Sequence, residues 1–410
     1  VNLSKKSAGL AVFDNNNPMF QIDYYLKSTG VTWGIASNGR FWRLVHKDSS
    51  YKLDIYFELD LLEALTTTDD TQALAVCNYF VVLFGHDAFR PTPGGATRLD
   101  DVLRGSQTYA RALESDLRDN AYKALEQLII GFFAPAANRL NPNDPADREA
   151  VYRNSLLLLY RLLFLFYGES RGLLPMNNEA YREYSLTALS KVAARAVDDH
   201  KIDGLPPMTK KHWAHLEALF TVINGDDAGL NAHLGVPRYN GGLFDPQRHP
   251  FLAGKFVGDR HLIRAVDYLA RRRKTDEGGK FAGFEPVDYR TLGVRQLGSI
   301  YEGLLEYKVS VAEEEMVTVR KGGKEAWLPA SQRGKAKAIE TKQPGELYLA
   351  TDKGERKATG SYYTPDYIVK YIVEQTLGPL VEEAKKKATS DALRGMSAEQ
   401  ARQFEAEILA

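Results

Sequence analysis

The sequence predicts a protein of mixed α/β and α class, with a small α/β segment in front, a long helical region behind it, and strands leading to one capped helix near the end. Three observations carry this. Two strand-like runs, Val31 to Ala36 and Phe41 to His46, flank an Asn38-Gly39 turn signal. From about Thr71 to Tyr307 apolar residues recur at helical spacing, and Tyr152 to Gly168 is apolar nearly all round, as a central helix would be. After Lys308 the pattern changes to short β-branched runs and glycine turns.

Taken in order, Phe20 to Leu26 reads as a short helix, followed by the hairpin, a third strand from Leu53 to Phe57 and a helix from Leu59 to Leu65. In the helical region, Ala110 to Phe133 is one helix, and the loop Asn141-Pro142-Asn143-Asp144-Pro145 feeds the central one, which Gly172 and Pro175 end. Leu186 to Val197, Lys210 to Val222 and Leu262 to Arg272 read as further helices, and Tyr239 to Pro246 as a turn-rich loop. Glu169 and Arg171 fit solvation of a helix end. His212 and His261 fit packing or surface roles rather than ligation.

Beyond Lys308, Val309 to Val311, Met316 to Val319 and Glu346 to Ala350 read as strands and Gly322-Gly323 as a turn. Between Arg320 and Lys357 ten lysines and arginines face five acids. Such a basic arm, with Arg333, Lys335 and Lys337 in it and Arg356 and Lys357 at its end, suits a phosphate backbone; a solvated surface hairpin is the alternative. Arg271 and Arg272, in the run Arg271 to Lys274, form a second basic candidate, although a helix C-terminus favours cations on its own account.

The stretch Gly360-Ser361-Tyr362-Tyr363-Thr364-Pro365 then makes a tight turn, two aromatics, an N-cap threonine and a proline at the first helical position. The helix continues through Ile368, Val369, Ile372 and Val373 to a Gly378-Pro379 stop. Free N–H groups at such a helix start suit a carboxylate or phosphate, and the tyrosine rings could pack on the rest of a small ligand. An ordinary loop-to-helix junction with buried tyrosines is the competing reading.

The composition is that of a globular protein, with 44% hydrophobic and 26% charged residues. Fifty-three basic and fifty-three acidic side chains cancel, so a nucleic-acid surface has to be a local patch. One cysteine, Cys77, excludes an internal disulfide and a cysteine-based zinc site and fits a reducing, cytoplasmic setting. The most apolar run, Leu156 to Tyr167, contains Arg161 and is too short for a bilayer, so no membrane partner is expected. Zinc-ligand spacings and phosphate-loop glycines are absent, and no metal site is expected. Val1 enters mid-pattern, and Ala410 leaves a helical run from Ser397 to Leu409 without a cap. Continuation at both ends is therefore expected.

The wording T-G-S-Y-Y-T-P before an apolar helix resembles the opening motif of DNA adenine methyltransferases that act on the exocyclic amine. Within these it is most similar to single-chain type IIG restriction–modification enzymes and the methylases of the DISARM and BREX phage-defence systems. Three other stretches resemble the same family in the same order. W-G-I-A-S-N-G-R-F-W-R-L is similar to the tail of its PD-(D/E)xK nuclease domain, with Gln21 and Tyr25 fitting a Q-x-x-x-Y element. Y-R-L-L-F-L-F-Y-G-E-S-R-G-L-L-P and L-G-V-R-Q-L-G-S-I-Y-E-G-L-L-E-Y are similar to its connector.

The resemblance implies a nuclease-like remnant over 1–68, a helical connector over 69–307, a basic hairpin and linker over 308–357, and the start of a Rossmann-like methyltransferase domain over 358–410. It assigns Tyr362, Tyr363, Thr364 and Pro365 to S-adenosyl-L-methionine, with Gly360 and Ser361 shaping the turn. Double-stranded DNA is the implied substrate, with other defence-system proteins as further partners. In the whole enzyme adenine would be flipped out and its amine would attack the sulfonium methyl group directly.

The sequence departs from the family in two places. Before Gln21 the only carboxylate is Asp14 and no Glu-x-Lys occurs, where the nuclease needs several carboxylates around its metal ion. The glycine-rich cofactor loop and the Asn-Pro-Pro-aromatic motif, both downstream in the family, do not occur before Ala410. This chain alone is therefore expected to be inactive, with no catalytic residue of its own. A non-catalytic scaffold of a defence complex is one alternative; a restriction endonuclease, completed by sequence upstream of Val1, is another.

Overall fold

A computed structural model describes residues 17–51, 55–67, 70–206, 208–239, 241–276, 279–321, 324–334, 336–351, 368, 371–373, 375–380 and 383. The chain divides into two compact units, 1–107 with 364–410, and 108–363.

In the first unit, helix α1 (Pro18–Thr29) starts on the Asn17 side chain, which accepts from the Met19 N–H at 3.0 Å, and ends on Gly30 at φ 74°. Its buried stripe, Met19, Ile22 and Leu26, packs with Ala36 and Val45 of an antiparallel sheet. That sheet has the order β1 (Trp33–Ser37), β2 (Phe41–His46), β3 (Phe57–Asp60). In the β1–β2 turn the Asn38 carboxamide accepts from the N–H groups of Arg40 and Phe41, and Gly39 takes φ 90°. Gly34 lets α1 approach, since a Cβ there would sit 2.9 Å from Ile22 Cδ1. The third strand begins at Phe57, where the sequence pattern ends it. Register with β2 selects this position: Arg40 pairs with Asp60 at 2.7 Å and Arg43 with Glu58 at 2.6 Å. Helices α2 (Leu61–Thr66), α3 (Asp70–Phe84) and α4 (His86–Phe89) follow, with Trp42 against Phe80 and Phe84.

The long helix α5 (Arg98–Phe133) enters the second unit at Thr108. There one continuous core is built from α5, α6 (Pro145–Ser170), α8 (Leu186–Asp198), α9 (Lys211–Asn224) and α12 (Asp259–Ala270). Shorter helices α7 (Glu179–Tyr184), α10 (Ala228–Leu234), α11 (Pro250–Gly254) and α13 (Val294–Leu304) close its edges. From Val151 to Glu169 helix α6 is buried over most of its circumference, as its composition predicts, with Arg153 and Tyr160 exposed. At Arg161, in the middle of it, the guanidinium donates from Nε to the Leu243 carbonyl and lies 4.9 Å and 5.4 Å from the rings of Phe220 and Phe244. Burial lowers its pKa to about 10.

Glu169 is a correction. The sequence places it at a solvated helix end, but it is 4% exposed. Its carboxylate accepts from the Tyr181 hydroxyl, the N–H groups of Leu186 and Thr187, and the Thr187 hydroxyl, so it caps the start of α8 from another helix. Burial pushes its pKa up, and these donors pull against that.

The second correction concerns the arginine run. Helix α12 stops at Ala270, and Arg271 is the first residue of a hairpin, β4 (Arg271–Thr275) paired with β5 (Phe281–Pro286). Tertiary pairing overrides the helical spacing here. The remaining strands are β6 (Tyr307–Val311), β7 (Met316–Lys321), β8 (Lys324–Pro329), β9 (Glu340–Lys342) and β10 (Leu347–Thr351). They form an antiparallel β10–β6 pair and a sheet of order β8-β7-β9. Among the described residues no helix is long and apolar enough to cross a membrane.

Candidate nucleic-acid interface

The residues assigned to the cofactor by resemblance, Gly360, Ser361, Tyr362, Tyr363, Thr364 and Pro365, lie outside the described residues, as do Arg356, Lys357 and Lys335. Gln21 and Tyr25 stand four apart on α1, Gln21 half-buried and Tyr25 exposed. Among the described residues no three His, Cys, Asp or Glu side chains come together as a metal site. Arg333 ends a short 3₁₀ turn after β8, and both Arg333 and Lys337 are exposed.

The arginine run is where the described residues make a groove. Alternation along β4 sends Arg271 and Arg273 to one face and Arg272 to the other. Arg272 is spent on structure. It pairs with Asp116 at 3.1 Å and with Glu285, its cross-strand neighbour, at 2.5 Å, and it lies over the Tyr109 ring. Arg271 is held by Asp267 at 2.6 Å and Asp198 at 2.9 Å, with a side chain only 13% exposed. Burial works against its charge, but the two carboxylates outweigh it and raise the pKa.

Two exposed aromatics stand beside these arginines. Phe281 is 52% exposed and Phe284 45%, with ring centres 5.2 Å apart and edge to face. A regular strand would turn residues three apart to opposite faces. Here the pairing shifts between Arg273 and Thr275, and Gly283 adopts φ 110°, which brings both rings to one side. Arg271 covers Phe284 and Arg273 covers Phe281, each at 4.8 Å.

The hairpin forms one wall of a cavity of about 510 Å³, with Asn120 and Lys123 of α5, Arg264 and Tyr268 of α12, and the α8 end and following turn as the others. Arg264 is matched by Asp203. Lys123 lies 6.0 Å from the Tyr268 ring centre, and neither it nor Arg273 has a carboxylate partner among the described residues. The groove therefore joins paired cations, two unneutralised ones and a ring pair. Sequence reasoning singled out the arginines and missed the rings. Their signal was available: Arg-Arg-Arg-Lys-Thr, a Gly278-Gly279 turn, then Phe-Ala-Gly-Phe-Glu-Pro is a hairpin pattern.

No family model matches the sequence, and no solved structure matches it. Among curated proteins it is similar to a Methanocaldococcus jannaschii protein named as a candidate type II restriction enzyme and methyltransferase. The two are 21% identical over 399 residues, which cover 88% of this chain and 28% of that protein. The chain thus spans less than a third of the relative's length.

Proposed function

We propose that this chain is the N-terminal part of a restriction–modification enzyme that methylates the exocyclic amine of adenine in double-stranded DNA. The observation that carries the reading is the similarity along 88% of the chain to a protein named for both restriction and methylation. The T-G-S-Y-Y-T-P stretch supports the finer part, because it resembles the motif lining the S-adenosylmethionine pocket in amine-directed DNA methyltransferases.

S-adenosylmethionine would supply the methyl group, and DNA contact falls to this chain's own basic side chains. The candidates are Arg273 and Lys123 in the groove, Arg333, Lys335 and Lys337 in the arm, and Arg356 and Lys357 before the motif. Each phosphate they neutralise releases counterions and ties affinity to salt. Arg271 and Arg272 belong in a supporting role: their carboxylate partners fix the hairpin that presents Arg273 and the rings.

The assignment of Tyr363 is tested by Tyr363→Ala in the complete protein. S-adenosylmethionine binding is expected to weaken by about two- to ten-fold, the loss of one aromatic contact of about 0.5–1.5 kcal/mol, with thermal unfolding unchanged. Unaltered affinity on calorimetric titration would remove Tyr363 from the cofactor site.

A further inference from the structure

We infer that the groove beside the β4–β5 hairpin holds an unpaired nucleotide of a DNA strand, its base on the rings of Phe281 and Phe284 and its phosphates on Lys123 and Arg273. The inference rests on the reading above that DNA is the substrate, and it names the form of DNA this site takes. Four observations converge on it.

The first is the ring pair itself. Two phenylalanines about half exposed on a hairpin forgo the burial that apolar rings usually gain. They are placed there by a register shift and a left-handed glycine rather than by collapse into the core. Secondly, charge is unevenly settled. Arg264 and Arg271 are matched by Asp203, Asp267 and Asp198, which leaves Lys123 and Arg273 as the surplus facing the cavity.

Thirdly, the stacking surface is composite: the Arg271 and Arg273 guanidinium carbons lie over the Phe284 and Phe281 rings, and nucleic-acid bases stack on either kind of surface. Finally, a cavity of about 510 Å³ is within the range that accepts a single small ligand such as one nucleotide. The aromatic faces decide which DNA this is. Base pairs in an intact duplex present only their edges to a protein, whereas an unpaired base offers its whole π-face. An acidic peptide would use the cations and leave the rings idle.

Fluorescence polarisation on the complete protein tests this with three labelled probes: a single strand, a fully paired duplex, and a duplex with one unpaired base. The double variant Phe281→Leu, Phe284→Leu keeps apolar bulk and removes the π-faces. It is expected to weaken the two unpaired probes by about ten-fold and to leave the paired duplex unchanged, with Phe284→Trp binding as the native protein does. Lys123→Gln with Arg273→Gln should lower the single-strand slope of log affinity against log salt by about 1.4, two phosphate contacts at about 0.7 each.

Native binding by the leucine variant overturns the inference. So does equal loss on all three probes, or displacement of the single strand by a glutamate-rich peptide as readily as by unlabelled oligonucleotide. Failure here leaves methyl transfer to duplex DNA intact, while failure of the methyltransferase reading leaves groove binding intact without methyl transfer.

Discussion

His261 shows how one side chain's burial becomes a dependence on pH. It sits on α12 with Nδ1 3.0 Å from the Gln127 Oε1, and burial, with Arg264 and Arg260 nearby, pushes its pKa down to about 4. The folded protein therefore favours the neutral ring, and an unfolded histidine titrates near about 6.5. Its stabilising contribution is complete above that value and is lost as pH falls from about 6.5 toward about 4. His261→Asn keeps an N–H donor for Gln127 without the titration. Chemical denaturation of this variant across that window should lose part of the native protein's acid slope; an identical slope would place the titration elsewhere. Glu169 and Asp259 teach the same lesson about context. Asp259, 2% exposed, accepts from the N–H groups of Lys211 and His212 at the start of α9, a helix whose own N-cap residue, Lys210, supplies no side-chain bond. Caps borrowed across the fold leave no local signal, which is why Glu169 reads from sequence as a solvated helix end. Asn17 before Pro18 and Asp144 before Pro145 cap their own helices; of these the sequence pattern marks only the loop ending in Asp144-Pro145 as a helix start, and it begins the first helix at Phe20.

At the scale of elements, the crossing of α5 and α12 depends on Gly131. A Cβ there would lie 2.5 Å from Val257 Cγ1 and 2.7 Å from His261 Cβ, neither of which is the free end of a flexible side chain. Alanine gains about 1 kcal/mol of helix propensity over glycine, but overpacking of this kind costs about 1–3 kcal/mol. Gly131→Ala is expected to lower the melting temperature in a thermal scan, and an unchanged or raised midpoint would show that the crossing has slack. Most elements were readable because their signals are local: the Asn38-Gly39 turn, the all-apolar α6, and the strands after Lys308 fall close to their expected places. The third strand and the arginine hairpin were misplaced because pairing partners decided them. The sequence pattern carries the helix from Leu262 through Arg272, whereas pairing with Phe281 to Pro286 makes Arg271 to Thr275 a strand. The hairpin pattern was available in the sequence, but the bulge that gathers Phe281 and Phe284 onto one face appears only once the strands are paired.

For the molecule as a whole, overall charge is uninformative, with equal numbers of acids and bases, and local imbalance carries the argument. The second unit supplies a rigid helical core and hangs from it the hairpin with its surplus cations. The proposed cofactor stretch, Gly360 to Pro365, lies outside the described residues. What joins these parts is the similarity to a protein more than three times the aligned length, named for restriction and methylation. The most direct measurement is therefore methyl transfer: the complete protein is incubated with duplex DNA and S-adenosylmethionine labelled in its methyl group, and the DNA is digested to nucleosides for mass spectrometry. The label is expected in deoxyadenosine methylated on its exocyclic amine; label confined to deoxycytidine, or none in DNA, would contradict the account.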